Sequence, residues 1–317
     1  MNLNRWWIYQ RERFPVFANG LLVIAFSFSA VSFSVLLRSH VEVANQITSP
    51  LALPSISILT VAFISSLLFF LLLRIADEFK DFADDCRYRA YRPVPRGLVS
   101  LKELGYLGAL IILIQLSLAL WINIYLLIPL LMVWLYLALM SKEFFVAQWL
   151  KQRPVTYMWS HMLIMPLIDF YATAVDWINA GLSIPPDGLF WFLIVSFFNG
   201  IVIEIGRKIR APDDEEEGVE TYTVLWGRKR AIMVWLGAML VTAISATAAA
   251  ALIDFFYYVL TMLVVLILLA LWLAMRFLRH PDTQRAAWIE KMSGIWTLLM
   301  YLNLGVVPLA LLYFKRV

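Results

Sequence analysis

Long apolar runs separated by short charged segments set the pattern of this chain. Nine runs read as membrane-crossing helices: 14–37, a second opened by Pro50 and Pro54 and ending near Arg74, then 104–121, 124–140, 156–177, 189–203, 231–252, 255–277 and 294–314. A bilayer crossing needs about 20 predominantly apolar residues, which most of these runs supply. The first run is too long for the apolar core of a secretory leader and has no small-residue cleavage site, so it reads as a retained helix. Between the runs, Asn123 marks a very short turn, and Gly181, Pro185 and Pro186 mark another. Ser100 with Glu103 three residues on has the spacing of a capping box, which predicts a helix restarting at 101. Residues 1–13 carry Trp6, Trp7 and Tyr9 among Arg5, Arg11 and Arg13, the composition of an interfacial anchor or short amphipathic helix. The expectation is an all-α membrane protein: a nine-transmembrane-helix bundle forming a single domain over 1–317, with 1–13 as an interfacial segment.

Composition agrees with the pattern. The 317 residues are 62% hydrophobic and their mean hydropathy is +0.79, whereas a soluble domain averages nearer half apolar. The single cysteine, Cys86, excludes an intrachain disulfide and a cysteine-based zinc site. The net charge of +4 matters less than its distribution. With a cytoplasmic N-terminus, the segments 1–13, 74–102, 141–153, 207–230 and 276–291 fall on the cytoplasmic side and hold 23 of the 26 Lys and Arg. Only Arg38, Lys315 and Arg316 fall on the other side. That asymmetry predicts an N-in, C-out, multi-pass topology with both acid-rich loops on the cytoplasmic face.

The chemistry concentrates in 71–97, where an apolar run ends in carboxylates, then cations, then Pro-Val-Pro. On a helix, Glu78, Asp81 and Asp85 point to one side, and Asp77, Asp81 and Asp84 share an overlapping face. Four or five acids on two turns repel one another and persist most easily beside a compensating cation. A solvated helix end neutralised by Lys80, Arg87 and Arg89 is one reading. At the mouth of a membrane helix, where charge is expensive and usually functional, a metal site is the other. Oxygen donors without His or Cys nearby suit Mg2+, which takes one or two carboxylates together with substrate phosphates. A second charged loop follows the sixth run, and Lys142 stands in the 141–153 loop. Carboxylates interleaved with Arg and Lys over an apolar bundle suggest chemistry on a lipid diphosphate, with the cations neutralising the leaving group.

The stretch DEFKDFADDCRYRAYRPVPRG resembles the first aspartate-rich motif of the UbiA superfamily of intramembrane prenyltransferases, an Asn-Asp-x-x-Asp-x-x-x-Asp run followed by Arg-Pro and Pro-x-Gly. Counting back from Arg92-Pro93 puts Asp85 on the last aspartate, Asp81 on the middle one, Glu78 on the first and Asp77 on the asparagine. In the second loop, Gly218, Thr221 and Leu225-Trp226-Gly227 resemble the tail of the family's second motif. Asp214 then falls on its last aspartate, and Arg210 and Arg207 stand where aspartates are usual. Glu204 is a displaced carboxylate for that site, and Asp213, Glu215, Glu216 and Glu217 read as a solvated loop. Lys142 resembles the family's diphosphate-contacting lysine, although the tyrosine usually found four residues earlier is Ala138.

The resemblance implies a Mg2+-dependent transfer of a polyprenyl group from its diphosphate to a hydrophobic, aromatic or lipid-like acceptor. Asp77, Glu78, Asp81 and Asp85 would be its metal-holding, catalytic carboxylates, joined by Glu204 and Asp214. Lys142, Arg207, Lys208, Arg210 and Arg92 would hold the diphosphate. His161 and Asp169, two helical turns apart, are candidates for an acceptor pocket or for hydrogen-bonded groups between helices, and Asp176 reads as a helix-end residue. Partners are the polyprenyl diphosphate, the acceptor and the bilayer, with no nucleic acid. The rivals are a terpene cyclase of the same fold and, in a different class, a membrane transporter or lipid-binding protein.

Overall fold

Apolar runs in which every backbone polar group must be satisfied internally leave the α-helix as the natural solution, and helix is all that forms. The computed structural model describes residues 3–44 and 53–316, and no strand occurs among them. Pro50 lies outside the described residues. Among the described residues, eight helices or helix pairs are long and apolar enough to cross a membrane. They coincide with eight of the nine predicted runs. By its contacts the chain divides into two compact units, Met1–Val31 with Pro54–Ser183, and Ser32–Leu53 with Ile184–Val317.

The first unit holds α1 (Leu3–Arg13), the first half of α2 (Val16–Ala44), α3 (Ile56–Lys80), α4 (Phe82–Tyr88), α5 (Leu101–Ile122), α6 (Leu127–Ser141), α7 (Ala147–Lys151), α8 (Pro154–Met162) and α9 (Ile164–Trp177). Helix α3 packs on α5 and α9, and α6 packs on α9. Polar groups tie these helices together. Gln115 of α5 is fully buried; its Nε2 donates to the Ser65 carbonyl of α3 at 3.0 Å and its Oε1 accepts from Trp134 Nε1 of α6 at 2.9 Å. In an apolar surrounding such bonds help fix helix pairing. The expected capping box forms at the start of α5, with Ser100 and Glu103 each bonding the other's backbone.

The predicted run 156–177 forms as two helices, α8 and α9, each too short alone to count as a crossing. Pro166 explains the break. It has no N–H for the carbonyl of Met162, and its ring crowds that carbonyl. Pro308 acts the same way on Leu304, where α14 gives way to α15 at Gly305. Two predicted links are instead helical: α2 continues past Leu37 to Ala44, and the basic link 276–291 is mostly taken into α13 and α14.

The second unit holds the rest of α2, then α10 (Leu189–Arg207), α11 (Tyr222–Trp226), α12 (Arg228–Ala251), α13 (Phe256–Arg279), α14 (Thr283–Leu304) and α15 (Val306–Arg316). Helix α12 presents small residues such as Ala231, Ala238, Ala246 and Ala250 to its neighbours, and α10 packs closely on it. Gly206 of α10 is required chiefly by α14: a Cβ there would meet Ser293 Oγ of α14 at 2.0 Å, and Trp235 Nε1 of α12 at 3.4 Å. Trp235 Nε1 donates to Ser293 Oγ at 2.9 Å, joining α12 to α14.

Candidate active site

The first acidic motif occupies the end of α3, a kink at Asp81, and α4. Asp81 caps α3 and starts α4 with φ −91° and ψ 2°, so the acids occupy two short helical segments rather than one continuous face. The structure sorts them by partner. Glu78 is 1% exposed and bonds Arg13 Nε of α1. Asp85 is equally buried and is gripped by Arg92 Nη1, at 3.0 and 2.7 Å from its two oxygens, and by Arg89 Nη2 at 2.9 Å. Asp77 is only loosely paired, 3.7 Å from Arg74 and 3.9 Å from Lys80. Asp84 is exposed. Asp81, half-buried, has no side-chain hydrogen bond or ion pair among the described residues. Burial, together with the charges of Asp77 and Asp85, raises its carboxyl above the ordinary aspartate value against the opposing pull of Lys80 and Arg89.

The arginine-proline tail is a folded loop. Its backbone closes through Gly97 N–H on Val94 O at 3.0 Å and Leu98 N–H on Pro93 O at 2.9 Å, with Gly97 at φ +76°. Val94 and Val99 enter a core with Tyr9, Leu72, Ile75, Leu104 and Ile111. Arg96 bonds Glu12 Oε1 at 3.0 Å. Helix α1 is thus packed against this core by Tyr9 and tied to it by Arg5–Glu103 and Arg13–Glu78.

A second group in the same unit was not legible in the sequence. Lys142 is exposed at the end of α6, and the chain then turns through Glu143, Phe144 and Phe145 at φ +50°, +52° and +61°. These are three successive non-glycine residues in the left-handed region. The turn sends Glu143 inward, where its Oε1 accepts from Tyr157 Oη at 3.0 Å and lies 3.4 Å from Lys80 Nζ. Lys80 Nζ also donates to Tyr157 Oη at 3.0 Å. His161 Nε2 lies 3.3 Å from Glu143 Oε2, an electrostatic contact rather than an aligned hydrogen bond. The ring stacks on Tyr157 at 4.0 Å, and Nδ1 faces the Tyr157 carbonyl oxygen at 2.9 Å. Burial pushes the Glu143 carboxyl up, but the His161 contact and the Lys80 charge outweigh it and hold the group below the ordinary glutamate value. From α8, His161 is therefore turned to Glu143. Asp169, fully buried, stands beyond the break on α9, so no continuous helix carries both. Asp176 lies in the last turn of α9 as expected, but it is buried rather than a surface residue. The stacking of Tyr157 on His161 was the one readable signal, an i, i+4 pair.

In the second unit the charged loop follows α10. Glu204 is held by its own helix: Arg207 Nη2 at 2.7 Å and Lys208 Nζ at 2.8 Å. The two cations remain 48% and 37% exposed, and Arg210 is exposed. Asp214 Oδ1 accepts from Thr283 Oγ1 at 2.9 Å. Glu215, expected to be solvated, accepts from Thr221 Oγ1 at 2.9 and 2.7 Å and from Thr223 Oγ1 at 2.6 Å, stitching the loop to the start of α11.

No group of three or more His, Cys, Asp or Glu is arranged to hold a metal among the described residues. Within the first motif the carboxylates that remain open are Asp81, exposed Asp84 and loosely paired Asp77. This fits Mg2+ in its commonest protein setting, one or two carboxylates with the remaining positions left to water and phosphate.

The family model for the UbiA prenyltransferase family matches residues 43–304. No curated protein matches by sequence. Among solved structures, an apo UbiA homologue from Aeropyrum pernix K1 aligns with a TM-score of 0.63 at 14% identity, covering 90% of this chain and 95% of that one. A digeranylgeranylglyceryl phosphate synthase aligns at 0.57 and 16% identity, covering 92% and 99%. A UbiA homologue from Archaeoglobus fulgidus aligns at 0.52 and 15%, covering 92% and 98%. At these identities the structural likeness establishes the fold, and the sequence match over most of the chain establishes the family. This multi-pass integral membrane protein belongs to the UbiA prenyltransferase family.

Proposed function

We propose that the chain is a Mg2+-dependent intramembrane prenyltransferase that moves a polyprenyl group from its diphosphate to a hydrophobic, aromatic or lipid-like acceptor. The observation that carries the reading is Asp81, an open carboxylate held at a helix kink in the family's first motif. Asp81 and Asp77 would take the metal directly. Glu78 and Asp85, already held by arginines, orient the helix end around them. A bound Mg2+ would draw charge from the diphosphate oxygens and favour their departure. Lys142, exposed in the first unit, would meet phosphate oxygens as a point charge; Arg207, Lys208 and Arg210, wholly or partly exposed in the second unit, are by themselves cations suited to an anion. Arg92 serves the diphosphate indirectly, through Asp85. Glu204 and Asp214, engaged with Arg207, Lys208 and Thr283, are secondary carboxylates of the second loop. Heterolysis of the bond from the allylic carbon to oxygen leaves the electron pair on diphosphate. The allylic cation then bonds the acceptor, which loses a proton. Asp169, buried in α9, is the acceptor-side candidate.

The test is diphosphate release by purified protein in detergent from geranyl, farnesyl and geranylgeranyl diphosphates, with and without Mg2+, beside Asp81→Ala. The expected result is Mg2+-dependent release that falls about 100-fold or more in the variant. Mass spectrometry of the lipid product separates transfer from cyclisation, since a cyclised hydrocarbon formed without acceptor would replace the transfer reading. Absence of release from every donor, even with membrane extract added to supply acceptor, would sink the enzyme reading.

A further inference from the structure

Lys80 stands in the first motif, at a position for which the resemblance names no residue type. It is the last residue of α3, beside Asp81, and its side chain is 18% exposed. An ammonium carries three N–H donors. Here one of them is matched, by Tyr157 Oη at 3.0 Å. The carboxylates of Glu143 and Asp77, at 3.4 and 3.9 Å, are near enough to hold the charge but too far for good hydrogen bonds. The cation is therefore fixed in direction while two donors stay available to another acceptor.

The apparatus that fixes it is elaborate for a loop. Glu143 reaches Lys80 from a turn in which three successive residues adopt left-handed backbone, and strain of this kind clusters at functional sites. Tyr157 comes from α8, 77 residues away in the chain, and is backed by the stacked ring of His161. His161 in turn contacts the second oxygen of Glu143. The three side chains brace one ammonium beside an open aspartate.

We propose that Lys80 is a diphosphate-binding cation, aimed by Glu143 and Tyr157, with His161 as the positioning residue behind both. The inference rests on the prenyl diphosphate reading above and adds a phosphate ligand inside the first motif. Its ammonium would meet an oxygen of the diphosphate, beside the Mg2+ that Asp81 and Asp77 would hold. Glu143 and His161 touch no substrate and act through Lys80 and Tyr157.

The experiment measures binding of inorganic diphosphate with Mg2+ to the full-length protein in detergent by isothermal titration, alongside Mg2+-dependent release from a prenyl diphosphate. Lys80→Met is expected to weaken binding about tenfold or more, the worth of one charge-assisted bond. Lys80→Arg is expected to recover most of that loss. Glu143→Gln and Tyr157→Phe are expected to weaken binding about threefold and to raise KM for the donor more than they lower kcat. If Lys80→Met does not fold, Tyr157→Phe carries the test, because it removes one hydroxyl and no charge. Wild-type release that needs Mg2+ and Asp81, with diphosphate affinity unchanged in the Lys80 and Tyr157 variants, overturns the inference and leaves the prenyl diphosphate reading standing. Variants that only melt earlier, with unchanged Kd and KM, overturn it too, since a bracing role alone gives that result. Failure of the wild-type protein both to bind inorganic diphosphate and to release it from any donor overturns both.

Discussion

The two acid-rich loops differ in where their charges find partners. In the first, the two firmly paired acids are deep: Arg13 reaches Glu78 across 65 residues, and Asp85 is gripped by Arg89 one turn on and by Arg92 of the loop that folds back over it. In the second, Glu204 is answered by Arg207 and Lys208 one turn along the same helix, and the cations keep much of their surface in the open. Distant buried pairs close a fold; local exposed pairs decorate it. The first loop therefore builds a rigid frame around Asp81. The second displays positive charge at low structural cost, which suits a surface that must take up and release an anion.

The sharpest way to break this comparison is to remove one guanidinium from each loop. Arg92→Ala leaves the buried Asp85 carboxylate with Arg89 alone, and breaking a buried pair costs about 3–5 kcal/mol. The retained arginine puts the expected loss at the low end, about 3 kcal/mol. Unfolding in mixed micelles with increasing denaturing detergent measures it. A loss below about 1 kcal/mol, in the range of an exposed pair, would remove the distinction between the loops.

The membrane helices were legible because hydrophobic length is a local property, and the same holds for the capping box and for the spacing of the first motif. The breaks at Leu163 and Gly305 were also local, since Pro166 and Pro308 sit where an uninterrupted helix would need their missing N–H groups. The pairing was not local. Nothing in the segment 71–97 says that Glu78 will meet an arginine of α1, or that Lys80 will meet Glu143 and Tyr157. Nor does Lys-Glu-Phe-Phe carry a turn signal, because aromatic residues disfavour left-handed backbone and tertiary contacts impose it. Spacing revealed which acids share a side; only the folded chain sorted the gripped ones from the open ones.

A pH series sharpens the comparison within the first unit, because Asp81 and Glu143 carry opposite shifts. Glu143 is held below its ordinary value of 4.5, so its stabilisation is present above that pH and is lost as pH falls through the folded-state value. Asp81 is raised above 3.8; its ionised form burdens the folded state at neutral pH, and that burden lifts as pH falls through the raised value. Near pH 7, Glu143→Gln should thus lower the unfolding midpoint and Asp81→Asn should raise it. Both differences should shrink on acidification, the first below pH 4.5. An Asp81→Asn variant less stable than wild type at pH 7 would mean that the carboxylate is a structural group and not an open one.

The smallest effect on stability is expected at Arg207. Its partner Glu204 keeps Lys208 at 2.8 Å, and the arginine is 48% exposed, so Arg207→Ala should change stability by no more than about 1 kcal/mol. Its effect should appear in binding instead. Loss of an exposed cation weakens the attraction for a polyanion most at low ionic strength and least when salt screens the field, with a Debye length of about 10 Å at 0.1 M. Inorganic diphosphate binding by the wild type should therefore fall with salt more steeply than binding by Arg207→Ala, and the two should converge at high salt. Parallel salt curves would assign Arg207 to Glu204 alone, and the second loop would then have to be read, like the first, as architecture.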